Sequence, residues 1–178
     1  MERAKKIKCI ILDVDGVLTD GGVYIAPDGS ELYKPFFARD GLIISLAPKA
    51  GLMTAIITGR SSTIVGHRAN ALHIDLVYQG CRNKCAAYAD IKEKTGLRDE
   101  EIAYVGDDII DLPVMHMVGL PCAVGDAVPE VKDAAQIIAN ERGGHGAVRE
   151  IYEIILKTQG RWDEILTAFQ TNVDEVAQ

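Results

Sequence analysis

Short apolar runs alternate along the chain with stretches whose apolar residues recur every three or four positions. The runs at 7–14, 53–58, 76–78, 102–105, 121–124 and 136–138 have little polar interruption, the pattern of strands buried on both faces. Helical periodicity covers 42–50, 62–72, 84–95 and 109–117, with Asn83 placed to cap the third helix and Gly96 to end it. Strands separated by helices predict an α/β fold: a Rossmann-like, mostly parallel sheet with helices on both faces.

One stretch breaks the rhythm. Residues 23–26 and 31–37 flank Pro27-Asp28-Gly29, where proline presets φ and glycine accepts a positive one. A β-hairpin insertion over about 21–37 is therefore expected directly after the first strand. Two more helical stretches, 147–157 and 162–169, follow with Gly160 between them. Residues 1–170 read as one domain, and 171–178 as a polar tail expected to be mobile.

Composition narrows the function. Aromatic residues make up only 6% of the 178, so the core must rest on Ile, Val, Leu and Ala. A net charge of −7 speaks against nucleic-acid binding, which usually demands a basic face. No apolar run reaches membrane-spanning length, and no signal-peptide cleavage pattern precedes the first strand. Cys9, Cys81, Cys85 and Cys122 form no disulfide framework, and no histidine or second pair completes a zinc site around Cys81 and Cys85. Free thiols in the cytoplasm are the expectation.

Ligands of open α/β sheets bind beyond the carboxyl ends of the strands, so the polar residues there matter most. The first strand ends in Asp13-Val14-Asp15-Gly16, and the 53–58 strand in Thr58-Gly59-Arg60. Lys84 opens the helix after the 76–78 strand. The 102–105 strand runs into Gly106-Asp107-Asp108, with Asp111 one turn on. These types suit phosphoryl transfer. A carboxylate cannot attack a phosphate monoester unaided, because both are anionic; a divalent cation between them removes the repulsion. Magnesium takes oxygen ligands and keeps several waters, and Asp13 with Asp107 supplies two carboxylates. Lys84 adds a cation, and the Thr58 hydroxyl can hold phosphate oxygens. Asp15 is placed to protonate the leaving oxygen and then to deprotonate water.

The segment Leu12-Asp13-Val14-Asp15-Gly16-Val17-Leu18-Thr19-Asp20 resembles the first motif of the haloacid dehalogenase superfamily. Thr58, Lys84 and Gly106-Asp107-Asp108-x-x-Asp111 match its other three motifs in order. The resemblance covers roughly 7–156. It implies Asp13 as nucleophile, Asp15 as acid/base, and Mg2+ held by Asp13, the Asp15 main-chain carbonyl and Asp107. Asp108 and Asp111 would orient the metal's waters or Lys84.

Only 44 residues separate Asp13 from Thr58, and the hairpin and one helix fill them. That resembles the capless subclass, whose members form homotetramers and shield their sites with neighbouring subunits. The stretches Phe37-Ala38-Arg39-Asp40-Gly41, Thr58-Gly59-Arg60 with Arg68, Tyr78-Gln79-Gly80 and 142–150 resemble the branch acting on 3-deoxy-D-manno-octulosonate 8-phosphate, a sugar acid of lipopolysaccharide synthesis. A nine-carbon keto-sugar 9-phosphate is the alternative substrate. Gly59, Arg60, Arg68, Phe36, Phe37, Ala38, Arg39 and Asp40 are then the substrate-binding candidates. Arg60 and Arg68 are eight apart, a little over two helical turns, positions that share one helix face.

Taken singly, each of these features has an ordinary explanation: a turn, a helix cap, a solvated lysine or surface arginines. Jointly, in order and each at a strand end, they do not. Receiver domains of signalling systems also gather acidic residues, Thr and Lys around magnesium, but their acidic pair follows the first strand and their phospho-acceptor comes later. Here that order is reversed. A non-catalytic partner of a sugar-activating enzyme is disfavoured by the presence of Asp13, Asp15, Lys84 and Asp107 together. His67, His73 and His116 read as structural or exposed, while His145 lies in a glycine-rich loop of open role.

Overall fold

The computed structural model describes residues 2–74 and 76–171. In chain order its strands are β1 (Cys9–Leu12), β2 (Tyr24–Ile25), β3 (Glu31–Tyr33), β4 (Met53–Ile57), β5 (Leu76–Tyr78), β6 (Ile102–Gly106), β7 (Leu120–Ala123) and β8 (Ile137–Ile138). Its helices are α1 (Ala38–Leu46), α2 (Thr63–Ala71), α3 (Lys84–Thr95), α4 (Leu112–Met115), α5 (Pro129–Ala134), α6 (Ala147–Thr158) and α7 (Trp162–Thr171). Six strands pair in parallel in the order β5–β4–β1–β6–β7–β8. Central β1 is buried along its whole length, as its run Cys9-Ile10-Ile11-Leu12 requires. On the helical layers, α1 packs with α6, and α6 with α7; α3 and α5 pack on α4.

The hairpin stands apart as a two-stranded sheet of β2 and β3, closed by an Ala26–Gly29 turn in which Gly29 has φ +83°. Its strands are shorter than the predicted 23–26 and 31–37, because at Lys34 the chain turns inward and at Pro35 no N–H remains for a ladder.

Two predicted helices are corrected and one helix is added. The helix predicted at 42–50 begins at Ala38 and passes into a 3₁₀ turn at Ala47–Ala50. The helix predicted at 109–117 is a 3₁₀ turn, Ile109–Asp111, followed by the short α4. There the Asp108 and Asp111 carboxylates take backbone N–H groups that a regular helix would leave to solvent. Helix α5 was not predicted, since six residues with one buried side chain, Val131, carry no detectable period. Of the tail expected at 171–178, Thr171 ends α7 and the rest lies outside the described residues.

Candidate active site

Strand order places the chemistry. From β1 the chain crosses to β4 on one side, and from β6 to β7 on the other, so the crevice between β1 and β6 is the switch point of the sheet. Asp13 follows β1, and its N–H donates to the Val105 carbonyl at 3.1 Å, which seats it beside Asp107 at the end of β6. Gly16 holds φ +86°, and a Cβ there would lie 2.0 Å from Asp107 Oδ2. Only glycine lets this backbone pass over the second carboxylate.

Lys84 is the first residue of α3, which Asn83 caps by accepting the Cys85 N–H at 3.1 Å. That cap aims a buried ammonium at the crevice. Lys84 Nζ lies 2.8 Å from Asp13 Oδ2, 2.7 Å from Asp111 Oδ1 and 3.2 Å from the Tyr104 hydroxyl, so all three of its protons are spent. Tyr104 donates in turn to Asp111 Oδ1 at 2.7 Å. The other Asp111 oxygen accepts the N–H groups of Asp107 and Asp108 at 2.9 and 3.4 Å. A carboxylate has about four acceptor positions, and Asp111 uses them all. Asp111 is thus a bracket joining α3 to the β6 loop.

Burial dominates the electrostatics. It pushes the Asp13 carboxyl up to about 6 against the pull of Lys84, with Asp111 adding to the rise. Asp107 is raised to about 7 by burial and by the charges of Asp111 and Asp13. Burial alone would lower Lys84, but Asp13 and Asp111 hold its ammonium above the ordinary range.

Oxygens of Asp13, Asp107 and Asp111 lie within 4.8 Å of one another, three carboxylates against one ammonium. No described residue donates a hydrogen bond to the Asp107 carboxylate, which leaves it free to ligate. A divalent cation fits this donor set: all-oxygen, anionic and crowded by like charge.

The cleft is about 230 Å³ and is lined by Asp13, Asp15, Thr58, Gly59, Arg60, Asp107 and Asp108, with Gly21 and Ile110 at its sides. Seven of the sequence candidates therefore meet in one place, and Lys84 and Asp111 bond to them from beneath. Asp108 is exposed and caps the 3₁₀ turn through Ile109 N–H at 2.7 Å.

The remaining candidates do not line this cleft. Arg60 and Arg68 do not share a helix, because Ser62 is the N-cap of α2 and Arg60 precedes it. Arg68 lies over the Phe36 ring at 5.8 Å and against Gly41, and its buried Nε has no hydrogen-bond partner among the described residues. Arg39 stands over Phe37 at 5.9 Å, Phe37 stacks on His145 at 6.3 Å, and Ala38 opens α1. Asp40 is buried and accepts the Arg149 N–H at 2.8 Å, which ties α1 to the start of α6.

Four residues at the site were not among the sequence candidates. Tyr104 reads as an ordinary strand residue. Gly143 and Gly144 read as a loop, yet Gly144 N–H donates to the Val17 carbonyl at 2.9 Å and braces the turn that carries Asp15. Lys34, on the hairpin, is buried and forms ion pairs with Asp15 and Glu31. Only its position, three residues after Glu31 and just past the apolar Leu32-Tyr33, could have drawn attention to it.

Comparison with known proteins agrees with this fold. Residues 68–151 match the family model of haloacid dehalogenase-like hydrolases. The 3-deoxy-D-manno-octulosonate 8-phosphate phosphatase of Escherichia coli is 46% identical over 164 residues, 92% of this chain and 87% of that protein. The Yersinia pestis phosphatase of the same name superposes with a TM-score of 0.88 at 42% identity, over 91% of this chain and 87% of that one. The Moraxella catarrhalis phosphatase, solved with a magnesium ion, a phosphate ion and KDO, superposes with a TM-score of 0.91 at 37% identity, over 95% and 97%. At such identity over nearly the whole length, the chain belongs to the 3-deoxy-D-manno-octulosonate 8-phosphate phosphatases of the haloacid dehalogenase-like hydrolases.

Proposed function

We propose that the chain hydrolyses 3-deoxy-D-manno-octulosonate 8-phosphate to the free sugar acid and inorganic phosphate, with magnesium as cofactor. The observation that carries this reading is the Asp13 carboxylate, held at 2.8 Å by Lys84 beside the unpaired Asp107, at the mouth of a strand-end cleft. Asp13, Asp107 and the Asp15 main-chain carbonyl would hold the metal. When bound, it neutralises phosphate charge that would otherwise repel the nucleophile.

The rest is done by the chain. The Thr58 hydroxyl holds a phosphoryl oxygen, and the Lys84 ammonium, bonded to Asp13, offsets the phosphoryl charge from beside the nucleophile. Asp13 attacks phosphorus, the new Asp13–O–P bond forming as the ester P–O bond breaks, and Asp15 gives its proton to the departing alkoxide. A water then attacks the same phosphorus, Asp15 takes the proton, and phosphate leaves with the Asp13 carboxylate restored. Arg60 lines the cleft, and we assign it to the sugar-acid carboxylate, which a guanidinium matches with two parallel hydrogen bonds. We assign Arg68 and the segment Phe36 to Asp40 to the remainder of the substrate. The unpaired Arg68 Nε supports this, as does Lys34, which touches Asp15 two residues before Phe36.

The proposed assembly is a homotetramer, joined through the hairpin, where Val23, Ile25, Leu32 and Tyr33 stand exposed. The proposed compartment is the cytoplasm, which suits four free cysteines. No helix among the described residues is long and apolar enough to cross a membrane.

Phosphate release from a panel of sugar phosphates, with and without magnesium, tests the function. Magnesium-dependent turnover led by the eight-carbon keto acid is expected. Preference for a nine-carbon 9-phosphate would move the substrate and leave the chemistry. Near-normal turnover by Asp13→Asn would end the covalent mechanism.

A further inference from the structure

Lys34 inverts the pattern of its own strand end. It is 8% exposed, whereas Leu32 and Tyr33 just before it are 58% and 46% exposed. Turning an ammonium inward and apolar groups outward is unfavourable unless the charge is fully paired, and a buried lysine also loses about 1.5–2 kcal/mol of rotamer freedom. Lys34 is paired twice, with Asp15 Oδ1 and with Glu31 Oε1 at 3.2 Å. The second Glu31 oxygen accepts the Ser62 hydroxyl. Ser62 Oγ itself accepts the Val65 N–H at 3.3 Å as the N-cap of α2, so its proton is committed to Glu31. A chain of four side chains thus runs from Asp15 through the hairpin to the start of α2.

Asp15 needs such a holder. Its carboxylate lies in the turn after β1, and among the described residues its other basic partner, Arg60 Nε, is only loosely placed at 3.9 Å. We propose that Lys34 is the positioning residue for the Asp15 carboxyl group, with Glu31 and Ser62 holding Lys34 for that task. The inference rests on the reading of Asp15 as the acid and base. It makes the hairpin a working part of the site, because the docking of β3 decides where the proton donor points. A displacement of about 1 Å at such a group costs up to about 10²-fold in rate.

A double-mutant cycle on kcat tests this, using Lys34→Met, Asp15→Asn and the pair. The substrates are the sugar-acid phosphate, whose alkoxide needs a proton to leave, and p-nitrophenyl phosphate, whose phenolate does not. Lys34→Met is expected to lower kcat on the sugar ester by about 10–100-fold with KM within about threefold, and to cost much less on the aryl ester. In the Asp15→Asn background it should cost nothing further. An equal loss with and without Asp15, or a rise in KM alone, overturns the proposal in favour of substrate binding or hairpin anchoring. Should Lys34→Met not fold, Glu31→Gln, which keeps Lys34 and loosens its second anchor, goes through the same cycle: a loss that vanishes without Asp15 supports the proposal, and an equal loss overturns it. Full activity of Asp15→Asn by itself would instead remove the acid/base reading, an outcome distinct from the Lys34 arm.

Discussion

The backbone of Gly143 presses on the backbone of Gly16: a Cβ at residue 143 would lie 1.7 Å from the Gly16 carbonyl oxygen. The far loop before α6 therefore supports the turn that carries both aspartates. Asp126 holds that loop in place by accepting the Gly143 N–H at 2.9 Å and pairing with Arg142 at 3.0 Å. Gly143→Ala should force the two loops apart. Overpacking of this kind costs roughly 1–3 kcal/mol, and turnover should fall more steeply than stability because Asp13 and Asp15 move with the turn. Thermal melting and kcat, measured side by side, check it.

Tyr104 is predicted to matter through Lys84. Tyr104→Phe removes one acceptor from a buried ammonium and one donor from Asp111, each of which then lacks a partner. An unsatisfied buried polar group costs about 1–3 kcal/mol, equivalent to a midpoint lowered by roughly 2–4 °C per kcal/mol at this chain length. Lys84→Met should cost more, about 3–5 kcal/mol, because two buried carboxylates lose their counter-charge, and activity should vanish. A Tyr104→Phe enzyme as stable as the parent would show that the hydroxyl is not part of the bracket.

The pH dependence follows from the two raised carboxyls. Asp13 and Asp107 titrate near 6 and 7 in the folded chain, above the ordinary 3.8, so between those values the folded state binds more protons than the unfolded. Metal-free stability contributed by these groups is greatest in acid and declines as pH rises through about 7. Magnesium needs the deprotonated forms, so its stabilising effect should grow over the same window. At a hundredfold excess over its dissociation constant it contributes about 2.7 kcal/mol. Melting curves at about pH 5 and about pH 8 should show the metal-induced shift largest at the higher pH. Asp107→Asn should remove most of that difference. A shift independent of pH would rule out Asp107 as a ligand.

What was legible beforehand follows from how local each signal is. The strands and the Asp13, Thr58, Lys84 and Asp107 positions could be read because each sits at a sharp change from apolar run to polar cluster. Asn83 and Gly96 were legible as caps for the same reason, and they do bound α3. Contacts made across the chain left no such mark. Gly143 touches Gly16, and Tyr104 touches Lys84, through tertiary proximity alone. Arg60 and Arg68 misled, since a spacing of eight implies one face only inside a single helix, and the Ser62 cap separates them. Lys34 was hidden by its setting, a lysine on a solvent-side hairpin that happens to point inward.

The hairpin makes a prediction about assembly. Val23, Ile25, Leu32 and Tyr33 are between 46% and 62% exposed on a two-stranded unit that is marginal alone in water. Replacing Ile25 and Leu32 with lysine should dissociate the proposed tetramer, seen as a fall in mass by light scattering. Turnover should fall with it, because β3 leads directly into the Lys34 that touches Asp15. An unaltered parent that is monomeric and fully active at working concentration would defeat the assembly.

Substrate choice should separate the two arginines from the phosphate machinery. A phosphatase without a cap selects with cleft residues, because binding groups remote from the phosphate orient the scissile bond. The distinctive handle of a keto-sugar acid is its carboxylate. Arg60 lines the cleft, and Arg68 carries a buried Nε donor with no acceptor, an arrangement that costs stability unless something binds there. Arg60→Ala and Arg68→Ala are each expected to raise KM for the sugar-acid phosphate by roughly 10–100-fold, as loss of a charge-assisted hydrogen bond of about 1.5–3 kcal/mol would give. The KM for p-nitrophenyl phosphate, which lacks the carboxylate, should change far less. Equal losses on both substrates at Arg68 would assign that side chain to the packing of α2 on α1 through Gly41 and Phe36. Equal losses at Arg60 would assign it instead to the phosphate or to Asp15, its neighbour at 3.9 Å.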